Sequence, residues 1–457
     1  MDSAFETRST HKHPKGLYLL FITEMWERYS YYGMRSVLVL YLTTELISGG
    51  LGMDRATALK LYGFYTGLVY FTPLIGGYLT DRFFGLRTAI TIGGVAMAIG
   101  DFSLFAIHET WGLYLGLLLL IIGNGFFKPN ISTLVGELYD KNDPRKDSAF
   151  TIFYMGINLG AFISPLVAGV IYANLFHSTT GGVETFGFRY AFLASSIGMV
   201  IGQLLFNLLS QKYLGDRGTK PVRAQNPSIN QNSTQPLTSQ EKQRTAVILI
   251  LACFTVMFWA GFEQAGASFT LYTKDHIDRM FFGYEVPESF FQSLNPLFIL
   301  LLAPVVSSFW LKLSRTPRGD FSVPTKMSFG LILLGLGFMV MIPAVMITGS
   351  SETDTTVKAS MLFMVVTYLL HTLGELALSP IGLSLVSKLA PVKIASLLMG
   401  VWFLSNAAAN YLAGYIASLT TSFGYLEIFT YLGLASIALG LILLALSKQV
   451  QRLMHLD

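Results

Sequence analysis

Long apolar runs separated by short polar loops recur along the whole chain. Each run is about twenty residues or more, enough to cross the hydrocarbon of a bilayer as a helix. They predict helices over 17–44, 57–80, 88–107, 111–138, 147–176 and 187–210, then over 246–272, 290–312, 325–348, 358–387, 393–419 and 425–448. Between the two sets, QKYLGDRGTKPVRAQNPSINQNSTQPLTSQEKQR has no apolar run and is rich in Asn, Gln, Ser, Thr and Pro. That composition predicts a flexible linker over 211–244. The expected fold is an all-α membrane protein of twelve helices, with one six-helix bundle in 1–210 and a second in 245–457.

Composition agrees with this class. Of the 457 residues, 52% are hydrophobic and only 13% charged, and the mean hydropathy is +0.54. The 43 glycines suit membrane helices, which approach closely through small residues. The start, MDSAFETRSTHKHPKG, has no basic segment followed by a short apolar core and a cleavage site, so a secretory signal is not expected there. The single cysteine, Cys253, excludes an internal disulfide or a cysteine-only metal site.

Positive charge tests the helix count. If the N-terminus is cytoplasmic, only Arg55, Lys60, Arg189, Lys274, Arg279 and Lys358 fall on the opposite side. Arg28, Arg35 and Lys128 lie inside helices, and all the other lysines and arginines fall in the cytoplasmic loops, as the positive-inside rule requires. Both termini are therefore expected inside, in a multi-pass protein of the cell (inner) membrane. The net charge of +4 reflects this topology, and no nucleic-acid partner is expected.

One stretch breaks the apolar pattern. EMWERYSYYG at 24–33 puts Glu24, Glu27, Arg28 and Tyr31, with Arg35 beyond, within an arc of about 100° of one helix face. At about 1.5 Å per residue the stripe runs roughly 16 Å. The other deep ionisable residues are Lys128, Glu263 and Glu375. Seven such groups at about 3 kcal/mol each approach 20 kcal/mol if left unpaired, so they must share a partly wet site. Interhelical glue is the alternative use for such pairs.

Three bases against four acids leave the fully ionised set with one net negative charge, which one proton neutralises. Acidic neighbours and desolvation favour that proton. A zwitterion can bridge the site, with its carboxylate on Arg35 and Lys128 and its ammonium on an acid.

Six plus six helices with a central linker resemble the major facilitator superfamily, and GGYLTDRFFGLRT at 76–88 is similar to that superfamily's loop between helices 2 and 3. There Asp81, Arg82, Gly85 and Arg87 fit a tight turn whose charges can bind a neighbouring helix end. More specifically, ExxER with YYG at 24–33 and FTIFYMGINLGAF at 150–162 resemble the proton-coupled oligopeptide transporters. FWAGFEQ, QSLNP and GELALSP extend the resemblance into the second half.

The resemblance implies a symporter importing di- and tripeptides by alternating access, with protons as coupling ion and no other cofactor, no metal and no enzymatic activity. It implies proton coupling at Glu24, Glu27, Arg28 and Lys128. It places Tyr31, Tyr32, Arg35, Tyr70, Lys128, Tyr154 and Asn158 on one side of the peptide, and Trp259, Asn295, Glu375, Ser379 and Trp402 on the other. Arg35 with Glu263 matches an outer gate, and Lys128 with Glu375 an inner one.

Spacing of four puts Tyr154 with Asn158, Trp259 with Glu263, Glu375 with Ser379, and Trp402 with Asn406 on shared helix faces. The expected partners are the peptides and the lipid bilayer, with the chain as a monomer. In two respects the chain departs from the family. Residues 211–244 are too polar for the extra helical hairpin of many bacterial members. Helix 2 lacks the histidine of some members, for which His371 is a substitute if it is not a packing residue.

Three rivals stand beside this reading. A proton-coupled carrier of another small anion, such as nitrate or an organic acid, would have no use for Glu375. A receptor or scaffold would tolerate neutral substitutions in the stripe. An integral-membrane enzyme would need a catalytic set, and no Ser/His/Asp constellation is evident.

Overall fold

A computed structural model describes residues 12–140, 143–221, 236–317, 319–349, 356–378, 382–391 and 394–455. The first half contains α1 (Lys15–Thr43), α2 (Arg55–Phe83), α3 (Leu86–Ala106), α4 (Thr110–Gly136), α5 (Lys146–Val170, continued by a π turn over Ile171–Leu175) and α6 (Phe188–Leu214). In the second half the seventh crossing is α7 (Ser239–Phe262), a 3-10 turn (Glu263–Gly266) and α8 (Ser268–His276). The eighth is a 3-10 turn (Glu288–Ser293) leading into α9 (Leu294–Ser314), and the ninth is α10 (Val323–Thr348). The tenth comprises α11 (Leu362–Leu378) and α12 (Gly382–Leu389), followed by α13 (Ala395–Ser418) and α14 (Tyr425–Met454).

These elements follow the twelve apolar runs, and they differ at their ends for local reasons. The stretch read as a linker begins and ends in helix. Thr238 and Glu241 form a reciprocal capping box, in which the Glu241 amide donates to the Thr238 hydroxyl (3.2 Å) and the Thr238 amide to Glu241 Oε2 (2.8 Å). Satisfying two orphan donors in this way starts α7 at Ser239, seven residues before the apolar run. At the other edge α6 stops where Gly215 takes φ +60. The remainder of the expected linker, 222–235, lies outside the described residues.

Three small strand pairs were not expected from the sequence. Ser178–Thr180 pairs with Val183–Thr185, and Met280–Phe281 with Tyr284–Glu285. Both are tight hairpins with positive φ at their tips, at Gly181 and Gly182 and at Phe282 and Gly283, the conformation two-residue hairpins need. Ile277–Asp278 runs parallel to Ala359–Ser360.

Each half has its own apolar core. One is built on Leu17, Met34, Leu38, Phe127, Phe192 and Phe206, and the other on Phe258, Phe269, Phe338, Trp402 and Phe429. In the first half α1 packs on α5 and α6 while α3 packs on α4; in the second, α10 packs on α11 and α14. The halves meet chiefly where α2 crosses α13. There Gly63 and Gly414 approach so closely that a Cβ on Gly63 would stand 2.7 Å from the Cα of Gly414, and a Cβ on Gly414 would stand 2.4 Å from the Cα of Gly63.

Hydrogen bonds and ion pairs joining the halves gather at the end of the molecule that carries residues 44–54 and 277–287. Arg55 pairs with Asp275 (2.7 Å), Lys274 donates to Thr44 Oγ1 (3.1 Å), and Tyr172 donates to Glu288 (2.5 Å). Ser289 and Ser293 donate to the carbonyls of Pro165 and Phe162, each at 2.8 Å. This end is closed.

The loop after α2 behaves as its charges suggest. Arg87 donates to the Gly215 carbonyl (2.7 Å) and to Ser210 Oγ (2.6 Å), so it caps the end of α6. Gly85 is required there, because a Cβ would meet the Thr219 carbonyl oxygen at 2.4 Å.

Candidate functional site

The polar stripe of α1 faces the protein interior. Glu24, Glu27, Arg28, Tyr31 and Arg35 are all buried, at 0 to 6% exposure. One guanidinium serves both acids: Arg28 Nη2 donates to Glu27 Oε1 (2.6 Å), its Nε reaches Glu27 Oε2, and the same Nε lies 3.2 Å from Glu24 Oε1. From α4, Asn124 Nδ2 donates to Glu27 Oε1 (3.3 Å). Glu24 Oε2 is buried without a partner.

Lys128 stands beside this cluster. Its Nζ lies 4.1 Å from the centroid of the Tyr70 ring, a cation–π contact that holds the ammonium without neutralising it. The sequence of α4 accounts for its position. Pro129 has no N–H to return to the Gly125 carbonyl, and that carbonyl is pressed against α2 at Gly76, where a Cβ would come within 2.0 Å of it. Asn130 Nδ2 closes the kink by donating to the Phe126 carbonyl (2.6 Å) and to Thr80 Oγ1 (2.9 Å).

The upper end of the stripe carries the pair expected as an outer gate. Arg35 Nη2 meets Glu263 Oε2, and Arg35 Nε donates to the Tyr62 hydroxyl (2.6 Å). Glu263 opens the 3-10 turn that breaks the seventh crossing. The turn is fastened by Gln264 Nε2, which donates to the Ala413 carbonyl (3.0 Å). Gly266 leaves the space the pair needs, since a Cβ would stand 2.0 Å from the Tyr62 hydroxyl and 3.0 Å from Arg35 Nη2.

The second expected pair is not made. Glu375 is buried and accepts from Asn295 Nδ2 (2.8 Å), which also donates to Thr372 Oγ1 (3.0 Å). Lys128 and Glu375 therefore engage an aromatic face and an amide, not each other, because the halves are drawn together at the Arg35 and Glu263 end.

The remaining expected residues fall into two groups. Tyr154 is 39% exposed, while Tyr32, Tyr70, Trp259 and Asn295 are half-buried. Asn158 is buried and donates to the Tyr154 carbonyl one turn back (2.9 Å). Trp402, expected to line a side-chain pocket, is buried in the second core, and Asn406 donates to its carbonyl (3.3 Å). Ser379 lies outside the described residues.

His371 is a packing residue. It is buried, bonds the Leu334 carbonyl through Nε2 (3.1 Å) and stacks on Phe269 with centroids 5.8 Å apart.

Sequence reasoning missed Tyr62, Asn124 and Asp101. Asp101, in GGVAMAIGDFSLFA of α3, is fully buried and accepts from Ser30 Oγ of α1 (2.5 Å). A lone acid within an apolar helix was the available signal.

The chain is similar to known proteins along nearly its whole length. The model described as the POT family matches residues 84–225 and 214–432. An uncharacterised transporter of Bacillus subtilis (strain 168) is 37% identical over 97% of this chain and 95% of its own. A di-/tripeptide transporter of Lactococcus lactis subsp. lactis (strain IL1403) is 31% identical over 96% of each. Among solved structures, peptide transporter POT in complex with sulfate superposes with a TM-score of 0.86 at 33% identity, covering 98% of this chain and 97% of that one. A POT family transporter in complex with 5-aminolevulinic acid gives 0.86 at 31% identity, over 96% and 98%.

Proposed function

Given that the chain belongs to the POT family, we propose that it is a proton-coupled symporter importing di- and tripeptides across the cell (inner) membrane by alternating access. The observation that carries this reading is one made gate and one unmade. Arg35 is locked to Glu263 at the closed end, while Lys128 and Glu375, on opposite halves, are held by groups that do not cancel their charge.

An unmade pair of opposite charges suits the two ends of a zwitterion. Lys128 takes the peptide carboxylate with Arg35 when the outer pair parts, and Glu375, steadied by Asn295, takes the ammonium. Tyr31, Tyr32, Tyr70, Tyr154 and Asn158 face the peptide from the first bundle. Trp259, Asn295, Ser379 and Trp402 serve the second, with Trp402 acting from behind the surface as support. An anion lacking an ammonium would leave Glu375 unpaired in a low-dielectric site, at a cost of several kcal/mol.

The halves 1–210 and 245–457 are the moving bodies, tied by 211–244, and the chain acts as a monomer with both termini cytoplasmic. A proton on the Glu24 and Glu27 pair releases Lys128 to the substrate. Protons are the coupling ion and no other cofactor takes part. About 100 mV contributes roughly 2.3 kcal/mol per charge and one pH unit about 1.4 kcal/mol, together a drive of roughly 500-fold for one proton.

The test is uptake of a labelled dipeptide into vesicles under an imposed proton gradient. Competition by di- and tripeptides but not by nitrate is the expected result; competition by nitrate alone would reject the reading.

A further inference from the structure

Asp101 takes no part in the mechanism above, and its setting calls for a role. Its carboxyl is fully buried at the depth of the stripe, on the side of α1 turned toward α3. Oδ2 accepts the Ser30 hydroxyl, and among the described residues Oδ1, which is buried, has no hydrogen-bond partner and no cation is paired with the carboxyl.

The groups facing it are few. From α1 they are Ser30 and, one turn away, Glu27; from α2 the hydroxyl of Tyr65 lies within its field. Helices α4 and α6 also pack on α3, but their ionisable residues (Tyr114 and Lys128; Arg189, Tyr190, Lys212 and Tyr213) make no bond to it. A carboxylate with one hydroxyl donor, an acidic neighbour and no counter-ion cannot stay ionised out of water.

The buried hydroxyls of Tyr65 and Tyr31 are also without partners. With Asp101 they form a band of unsatisfied polar atoms between the Glu27 cluster and Arg35, the kind of lining that internal water occupies. Counting Asp101, five acids face three bases, so the ionised set carries two negative charges and one proton no longer neutralises it.

We propose that Asp101 is a second proton site of the transport cycle, loaded from water on the outer side before the Arg35 end closes and emptied to water on the cytoplasmic side while that end is shut. The proton leaves the Asp101 carboxyl for water and is replaced from water on the other side, so no further reactant is involved. The inference rests on the symport reading, and the test separates the two.

The full chain is reconstituted in vesicles, and peptide counterflow is measured beside accumulation driven by a pH step, with the potential clamped. Asp101→Asn keeps the acceptor for Ser30 and loses the proton. It is expected to leave counterflow within about twofold of the parent and, at one pH unit, to lower driven accumulation about tenfold, the worth of one proton. Ser30→Ala removes the hydrogen bond and keeps the carboxyl, and it should accumulate like the parent. Asp101→Glu should restore accumulation with a displaced pH profile. The proposal is overturned if Asp101→Asn accumulates as the parent does, if Ser30→Ala loses as much, or if Asp101→Glu leaves the pH profile in place. Absence of counterflow in the parent itself would instead reject the transport reading.

Discussion

The two halves treat buried charge differently. In the first, acids and bases are concentrated on one face of α1, where Arg28 is shared by Glu24 and Glu27 and Lys128 stands at the side. In the second, the two acids expected at the site stand apart from each other, Glu263 on a 3-10 turn where Arg35 reaches it from the other half and Glu375 beside an amide. A crowded cluster responds to a single proton because every member changes its neighbours' balance. An isolated acid responds to whatever cation is brought to it. Under the proposed function, the contrast corresponds to proton coupling in the first half and recognition of the peptide's ammonium in the second.

The strongest way to break that division is Glu27→Gln. It should lower concentrative uptake by a factor approaching the roughly 500-fold drive of one proton, while exchange of peptide across the membrane persists. Undiminished accumulation with normal proton uptake would remove the first half from the coupling. Next is the pair that joins the halves. Arg35→Glu or Glu263→Arg alone leaves like charges buried together, a defect of about 3 to 5 kcal/mol, and transport should fail; the double exchange should recover part of it in the same uptake assay.

A smaller effect is expected from Glu375→Gln. Losing one charged contact to the ammonium, worth about 1.5 to 3 kcal/mol, should raise the half-saturating peptide concentration by roughly tenfold or more, with the pH dependence of uptake unaltered. A changed pH profile would blur the assignment. The mildest change sharpens the geometry instead. Gly63→Ala places a methyl against backbone of α13, so that crossing must part, and cross-linking between α2 and α13 at the closed end should decrease at unchanged expression.

Much of this was legible in the sequence because hydrocarbon permits few solutions. Runs of lipid length gave the crossings, and the arc of Glu24, Glu27, Arg28 and Arg35 gave the buried face, since no other orientation is tolerable. What escaped depended on neighbours distant in sequence. Nothing local in EQAG demands a broken helix; the break follows from Gln264 reaching the Ala413 carbonyl and from the space around Tyr62. The family resemblance implied Lys128 with Glu375, but a resemblance cannot say which of two pairings is made while the other is open. Trp402 was placed at the peptide by the family resemblance, and its spacing with Asn406 does not tell which side of a helix meets the core. The capping box at Thr238 was readable yet was absorbed into a polar linker. Asp101 was visible as an isolated acid and passed over because the stripe already held a complete set of charges.

Helix α2 carries both Tyr62, which touches Arg35, and Gly76, the seat of the carbonyl freed by Pro129 next to Lys128. Fourteen residues separate them, roughly 21 Å, and Pro73 lies inside the helix between them. Lacking an N–H, Pro73 leaves the Val69 carbonyl without its helical donor, so the residue that touches the gate and the seat beside Lys128 lie on opposite sides of a weak point in one helix, and the two ends of the site are joined through a joint rather than a rod.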